Sequence, residues 1–266
     1  MSSYLGSALI TGASSGIGAV YADRLARRGY DLVLVARDEA RLQTLAARLR
    51  HEVGVTVEVL RADLIKAEDL ARVEARLRDD PTISLLINNA GAAAPGGFAG
   101  SDPDVLENLI QLNITAVTRL AGAVVPRFLA EGRGAIVNIS SVLGLAPEAS
   151  SGIYGATKAY VLTLSQSLQN EIGPNGIYVQ AVLPAATRTE IWQRSGRDVN
   201  QIPGVMEVDE LVDAALTGFD RRERITIPSL PDAAQWDAFS AARQAMIANV
   251  AQSRAAERYR AATNAA

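Results

Sequence analysis

The segment Thr11-Gly12-Ala13-Ser14-Ser15-Gly16-Ile17-Gly18 joins a short apolar run, Ser7–Thr11, to a stretch with helical apolar spacing, Ile17–Arg28. Few folds place three glycines in the turn between a first strand and a first helix. Glycine there permits a tight turn, close approach of backbone to a pyrophosphate, and close packing of helix on strand. The helix N-terminus adds unpaired N–H groups and a partial positive charge. The spacing is Gly-x-x-x-Gly-x-Gly rather than the commoner Gly-x-Gly-x-x-Gly. The segment therefore predicts an α/β fold whose first helix begins at a phosphate site.

The rest of the chain keeps that rhythm. Asp31–Val35, Thr56–Leu60, Ile83–Ile87, Gly134–Ile139, Ile177–Val182 and Arg224–Pro228 read as further strands. Helical spacing occupies Asp38–Val53, Ala67–Arg78, Asp104–Leu129, Tyr154–Ile172 and Val208–Phe219, and Pro126 is expected to bend or interrupt the third of these. Strands separated by helices of this length imply β-α-β units. The expected architecture is a doubly wound parallel sheet of about seven strands with helices on both faces. Residues 1–266 are expected to form a single domain. A flexible substrate loop is placed at about 184–206, where both periods vanish, and a helical tail at about 231–260.

Composition removes several chemistries. There is no cysteine and only one histidine, His51, which excludes thiol nucleophiles, cysteine-ligated metals and multi-histidine metal sites. A net charge of −3 lacks the basic face of a nucleic-acid binder. No apolar run reaches the roughly 18 residues of a membrane span, and the first residues lack the cationic start of a secretory signal. A cytoplasmic protein without membrane or nucleic-acid partners is expected.

Tyr154 and Lys158 stand four residues apart at a helix start, so their side chains share a face. A phenol titrates near 10, and a neighbouring ammonium would favour the phenolate and lower that value towards neutrality. The alternative is a surface contact without catalytic meaning. Against it, Lys66 and Lys158 are the only lysines among 26 basic residues. Ser141, thirteen residues before Tyr154, ends the Ile136–Ile139 run, and ligands bind at the carboxyl ends of parallel strands. Ser140 is the rival serine at a spacing of fourteen.

The glycine segment, Asn88-Asn89-Ala90-Gly91 after the fourth strand, and the Ser141, Tyr154 and Lys158 spacing together resemble the short-chain dehydrogenase/reductase family over roughly residues 7–190. The resemblance implies a Rossmann-type fold and hydride transfer between a nicotinamide dinucleotide and a ketone, aldehyde or alcohol. It implies that Tyr154 gives a proton to the carbonyl oxygen, Ser141 hydrogen-bonds that oxygen, and Lys158 lowers the Tyr154 pKa and holds the ribose. Asn113 would hold a water in the proton relay. Gly12, Ser14, Ser15, Gly16, Ile17, Gly18, Arg37, Asp63, Leu64, Asn89, Ala90, Gly91, Pro184, Thr187 and Thr189 would join Tyr154 and Lys158 around the cofactor.

In relatives that use NAD, an aspartate ends the second strand; here Ala36 stands there, followed by Arg37, whose guanidinium can clamp a 2′-phosphate. Asp38 reads as the cap of the next helix. NADP(H) is thus expected over NAD(H), although Ser15 replaces the basic residue that the family often carries in the glycine loop. Ala185 also replaces the glycine of the family's Pro-Gly segment. Ala93–Gly97, Val142, Leu143, Ile153, Ile191 and Trp192 are the substrate-pocket candidates, and with Ser141 and Tyr154 they suggest a hydrophobic carbonyl or alcohol. A homo-oligomer, tetramer or dimer, is implied through the helices at 104–129 and 154–172. Two other readings stay open. One is a 3-oxoacyl-carrier-protein reductase binding its carrier through Arg119, Arg127 and Arg133. The other is a non-catalytic dinucleotide-sensing protein, which would not need Ser141, Tyr154 and Lys158 together.

Overall fold

The computed structural model describes residues 5–94, 96–149, 152–196 and 198–260. Pro95 of the candidate pocket, Arg197 of the expected loop, and residues 1–4 and 261–266 of the expected single domain lie outside that set. The chain separates into two compact units, Met1–Ser229 and Leu230–Ala266.

The first unit holds seven parallel strands: β1 (Ser7–Thr11), β2 (Asp31–Ala36), β3 (Val57–Arg61), β4 (Ile83–Asn88), β5 (Ala135–Ile139), β6 (Tyr178–Val182) and β7 (Ile225–Thr226). Their order is β3-β2-β1-β4-β5-β6-β7. The direction of winding reverses between β1 and β4, and such a switch point opens a crevice beyond the strand ends. The flanking helices are α1 (Gly16–Arg27), α2 (Glu39–Val53), α3 (Ala67–Asp79), α4 (Pro103–Ile110), α5 (Val117–Glu131), α6 (Tyr154–Glu171), α7 (Ile191–Arg194) and α8 (Val208–Asp220).

Both faces of the sheet are covered, which is why β1, β2, β4 and β5 are buried along almost their whole length, whereas the edge strand β3 is largely half-buried. Ala8 and Ile10 of β1 point to one side, onto Tyr21, Leu25, Leu42, Leu49, Leu211 and Leu216 of α1, α2 and α8. Leu9, one residue out of phase, points to the other side with Leu70, Val73, Leu77, Leu120, Val124 and Phe128 of α3 and α5. At roughly 1.5–3 kcal/mol for each large apolar side chain fully buried, these two layers hold the sheet in register.

Four expectations need correction. The long helix at 104–129 is not broken at Pro126, because α5 runs through it to Glu131. Gly122, whose carbonyl a proline four residues on cannot pair, is exposed and open to water. The irregularity lies instead at Gln111–Ala116, a turn of π-helix between α4 and α5. The stretch Pro103–Glu131 is also long and apolar enough to cross a membrane by length and composition, contrary to the expectation. Its residues Leu120, Val124 and Phe128 are nonetheless core side chains. The loop after β6 is not devoid of structure, for it contains α7 and a 3₁₀ turn at Val199–Gln201. Finally, the tail is α-helical only over α9 (Ala234–Ala248), none of whose residues is buried.

Candidate active site

A cavity of about 560 Å³ opens beyond the carboxyl ends of β1, β2, β4, β5 and β6. Ser15 caps α1 without a side-chain hydrogen bond, so the N–H groups of that helix's first turn stay available to a ligand. Gly12, Ser14, Ser15, Gly16 and Ile17 all line the cavity, but Gly18 does not. A Cβ on Gly18 would collide with the Gly12 carbonyl oxygen and Asn89 Nδ2, so this glycine packs α1 against its own loop.

The Asn88–Gly91 segment braces the same loop. Asn89 Nδ2 donates to the Thr11 carbonyl at 2.8 Å and to the Gly12 carbonyl at 3.2 Å. Thr11 Oγ1 accepts from the backbone N–H groups of Asn89 and Ala90, both at 3.0 Å. Beneath it, Asn88 Nδ2 donates to Asn138 Oδ1, and Asn138 Nδ2 to Ser165 Oγ, each at 2.9 Å within the core.

At the β2 end, Ala36 and Arg37 line the cavity, and Arg37 has no ion-pair partner among the described residues. Asp38 caps α2, its Oδ1 accepting from the Arg41 N–H at 3.0 Å, as its position in the sequence implies. Asp63 and Leu64 line the same region. Asp63 is not the cap of α3, which is Lys66; its Oδ1 accepts from the Ile65 N–H at 3.3 Å.

The catalytic candidates converge at the other end. Ser141 sits just past β5, and Tyr154 and Lys158 lie on the first turns of α6. The Ser141 hydroxyl faces the Tyr154 phenol and acts to lower its pKa. It also accepts from the Leu143 N–H at 3.2 Å and donates to the Pro184 carbonyl at 3.3 Å. Ser140 does not compete, because its hydroxyl donates to the Lys158 carbonyl at 2.7 Å. A few residues on, a Cβ at Gly144 would lie 2.8 Å from the Ala159 nitrogen and 2.9 Å from the Lys158 carbonyl carbon. Ser140 and Gly144 thus press the segment carrying Ser141 onto α6 at the height of Lys158.

The electrostatics differ from the expectation. Burial pushes the Tyr154 phenol up to about 12, and the nearby Ser141 hydroxyl opposes this only in part. Lys158 does not lower it. Its Nζ lies 5.7 Å from the Tyr154 ring centroid and donates to the Ile139 carbonyl at 2.9 Å. With 5% exposure, Lys158 is itself lowered by burial to about 8. A low-dielectric site disfavours both charged forms.

Asn113 lies in the π-helical turn and does not line the cavity. Its Oδ1 accepts from the Ala92 N–H at 2.9 Å, while Nδ2 donates to the Ala92 carbonyl at 2.9 Å and to Thr157 Oγ1 at 3.0 Å. Both side-chain N–H groups are therefore engaged by protein. The widened turn brings this side chain between the β4 loop and α6, joining the strand end that carries Gly91 to the helix that carries Lys158.

Pro184, Thr187 and Thr189 line the cavity with Ala185, Ile191 and Trp192. Ala185 needs no left-handed conformation, since Arg222 is the only non-glycine residue with positive φ among those described. Trp192 Nε1 donates to the Thr187 carbonyl at 2.6 Å, which fixes the indole on the loop. Leu143, Val142, Ala93 and Ala94 complete the apolar wall, whereas Ile153 and Gly97 lie outside it. The sequence reading missed Arg41 and Glu190, which also line the cavity. The four-residue spacing of Arg37 and Arg41 was the available signal for the first.

A family model described as short chain dehydrogenase matches residues 7–200. The structure of a short-chain dehydrogenase from Sphingobium yanoikuyae in complex with NADPH is 65% identical, with a TM-score of 0.95 over 96% of this chain and 100% of that one. A bulky-bulky ketone specific alcohol dehydrogenase from Comamonas testosteroni is 56% identical, with a TM-score of 0.91 over 97% of this chain and 99% of that one. A very-long-chain 3-oxoacyl-CoA reductase from Danio rerio is 36% identical over 69% of this chain, which spans 59% of that protein.

Proposed function

Because this chain belongs to the short-chain dehydrogenase family, we propose that it interconverts a bulky hydrophobic ketone or aldehyde and its alcohol, using NADP(H). The observation that carries this reading is the convergence of Ser141, Tyr154 and buried Lys158 in the cavity that Arg37 also lines. The residues present fit a phosphorylated dinucleotide. Gly18 is packed where no Cβ fits, α1 offers its first-turn N–H groups, and Arg37 has no ion-pair partner among the described residues. When bound, the nicotinamide supplies or accepts the hydride.

The chain's own residues would then act on the oxygen. With a phenol pushed up to about 12, Tyr154 stays protonated at neutral pH and is an available acid for a carbonyl oxygen that gains charge. Ser141, oriented by the Leu143 N–H, offers that oxygen a second hydrogen bond. Lys158 orients the ribose from a site held by the Ile139 carbonyl. Leu143, Ile191 and Trp192 exclude water from an apolar substituent. The Comamonas testosteroni enzyme, named for bulky ketones, supports the substrate class.

The carrier-protein alternative finds less support. Arg119 pairs with Glu74, Arg127 donates to the Leu77 and Ile83 carbonyls and to Glu131, and Arg133 lies 3.4 Å from Glu131. These cations hold α5 rather than await an acidic partner. A homo-oligomer belongs to the same reading, supported by the exposed Val105, Ile110, Leu129 and Tyr160 on the helices named for it. The test is Tyr154→Phe, assayed by NADPH oxidation against a panel of bulky ketones. Turnover is expected to fall about 10²–10⁴-fold with NADPH affinity preserved. Near-wild-type turnover on every accepted ketone would remove Tyr154 as the acid.

A further inference from the structure

Among the described residues, three cationic side chains line the cavity, Lys158 at the catalytic end and Arg37 and Arg41 beyond β2. Of the two arginines, Arg41 is engaged. Its Nη1 donates to Glu190 Oε1 at 2.6 Å, and its Nε lies 3.4 Å from Asp38 Oδ2. Glu190 stands immediately before α7, on the segment that also carries Thr187, Thr189, Ile191 and Trp192. The pair therefore crosses the cleft, tying the rim formed by α2 to the segment that lines the substrate end. Both partners are partly exposed, at 50% and 37%, so the tie is a weak one that a stronger anion can replace.

We propose that Arg41 is a second reader of the dinucleotide's 2′-phosphate and that Glu190 is the anion this phosphate displaces. The inference rests on the NADP(H) reading above and assigns it a residue and a competitor. A phosphate presents three acceptor oxygens, enough for two guanidinium forks at once, whereas Glu190 offers one carboxylate to one of them. Arg37 lies in the turn between β2 and α2 and Arg41 in the first turn of α2, and both line the same end of the cleft. Asp38, the other acid beside Arg41, is fixed as the α2 cap by the Arg41 N–H. A nucleotide with a bare 2′-hydroxyl has nothing to exchange for Glu190 and leaves the tie in place.

The experiment measures dissociation constants by calorimetry for NADPH, NADH, 2′,5′-ADP and ADP on the wild type, Arg41→Gln, Glu190→Gln and the double variant. Loss of one charge-assisted contact predicts that Arg41→Gln weakens NADPH and 2′,5′-ADP about tenfold or more, with NADH and ADP unchanged. Glu190→Gln is expected to tighten the two phosphorylated ligands, and to do nothing for them once Arg41 is glutamine. Wild type that prefers NADPH while Arg41→Gln keeps the full preference would overturn this inference and leave the cofactor reading intact. So would a Glu190→Gln variant that binds NADPH more weakly. Wild type that binds NADH as tightly as NADPH would overturn the cofactor reading itself.

Discussion

Replacing Lys158 with methionine should make the nucleotide-free protein more stable at pH 7 while abolishing turnover. The magnitude comes from the burial of the ammonium. Its lowering from an ordinary 10.5 to about 8 corresponds to roughly 3 kcal/mol of unfavourable charge burial at pH 7. Methionine removes that cost, keeps the length and favours the helix. It also leaves the Ile139 carbonyl without the 2.9 Å bond from Nζ, a loss of about 1–2 kcal/mol. The net expectation is a gain of about 1–2 kcal/mol at pH 7. The sign then changes with pH. Between about 8 and 10.5 the unfolded chain still holds the Lys158 proton and the folded chain does not, so wild-type stability climbs through that window relative to the variant. Above it the penalty has gone and only the lost hydrogen bond separates the two proteins, with wild type ahead. Urea denaturation at pH 7 and pH 10.5 reads both differences, since every other titrating group cancels between the proteins. A variant no more stable than wild type at pH 7, or a gap that does not move with pH, would refute the argument.

Four further outcomes are expected. Ser141→Ala should lower turnover by about 10²–10³-fold through loss of a donor to the developing oxyanion. Ser140→Ala should cost about 1 kcal/mol of stability, read by urea denaturation, and much less turnover, because its hydroxyl serves the Lys158 carbonyl; the reverse ranking in turnover would reassign the serines. Gly144→Ala should cut turnover by up to about 10²-fold with NADPH affinity little changed, since its methyl would meet the backbone of α6 and shift Ser141 away from Tyr154. In the alcohol-oxidising direction, where Tyr154 must first lose its proton, the rate should rise steadily from pH 7 to pH 10 because its phenol lies up near 12. A flat profile across that range in a chemistry-limited assay would contradict the placement of Tyr154 as the base.

How far the sequence could be read depended on how local each determinant was. The strands were legible because a sheet covered on both faces writes unbroken apolar runs, as in Ser7–Thr11 and Ala135–Ile139. Asp38 was legible as a cap because its partner, the Arg41 N–H, lies three residues away. The choice of Ser141 over Ser140 followed from spacing; in the structure the Ser140 hydroxyl is taken up by the Lys158 carbonyl. The break in the long helix was not legible. Proline is the strongest local signal for such a break, yet Pro126 sits where water can serve the orphaned carbonyl. The π-helical turn instead gathers around Asn113, whose partners Ala92 and Thr157 lie 21 and 44 residues away. Glu190 escaped notice for the same reason, being 149 residues from Arg41.

The Tyr154 ionisation failed differently, and the failure bears on how the site works. Spacing places an ammonium near a phenol, but its effect depends on what else surrounds both. The Lys158 Nζ is turned to the Ile139 carbonyl, and its burial resists the positive charge that was expected to stabilise phenolate. Ser140, Gly144 and Asn113 all fix the same turn of α6 through backbone or through Thr157. The scaffold thus holds a lysine whose charge burial disfavours and a protonated tyrosine in fixed positions, at a cost in stability. Such a site is set for proton donation to a carbonyl. Proton removal from an alcohol needs an added positive charge or a higher pH, and the rise of the oxidative rate with pH is the consequence that separates this account from one in which Lys158 alone activates Tyr154.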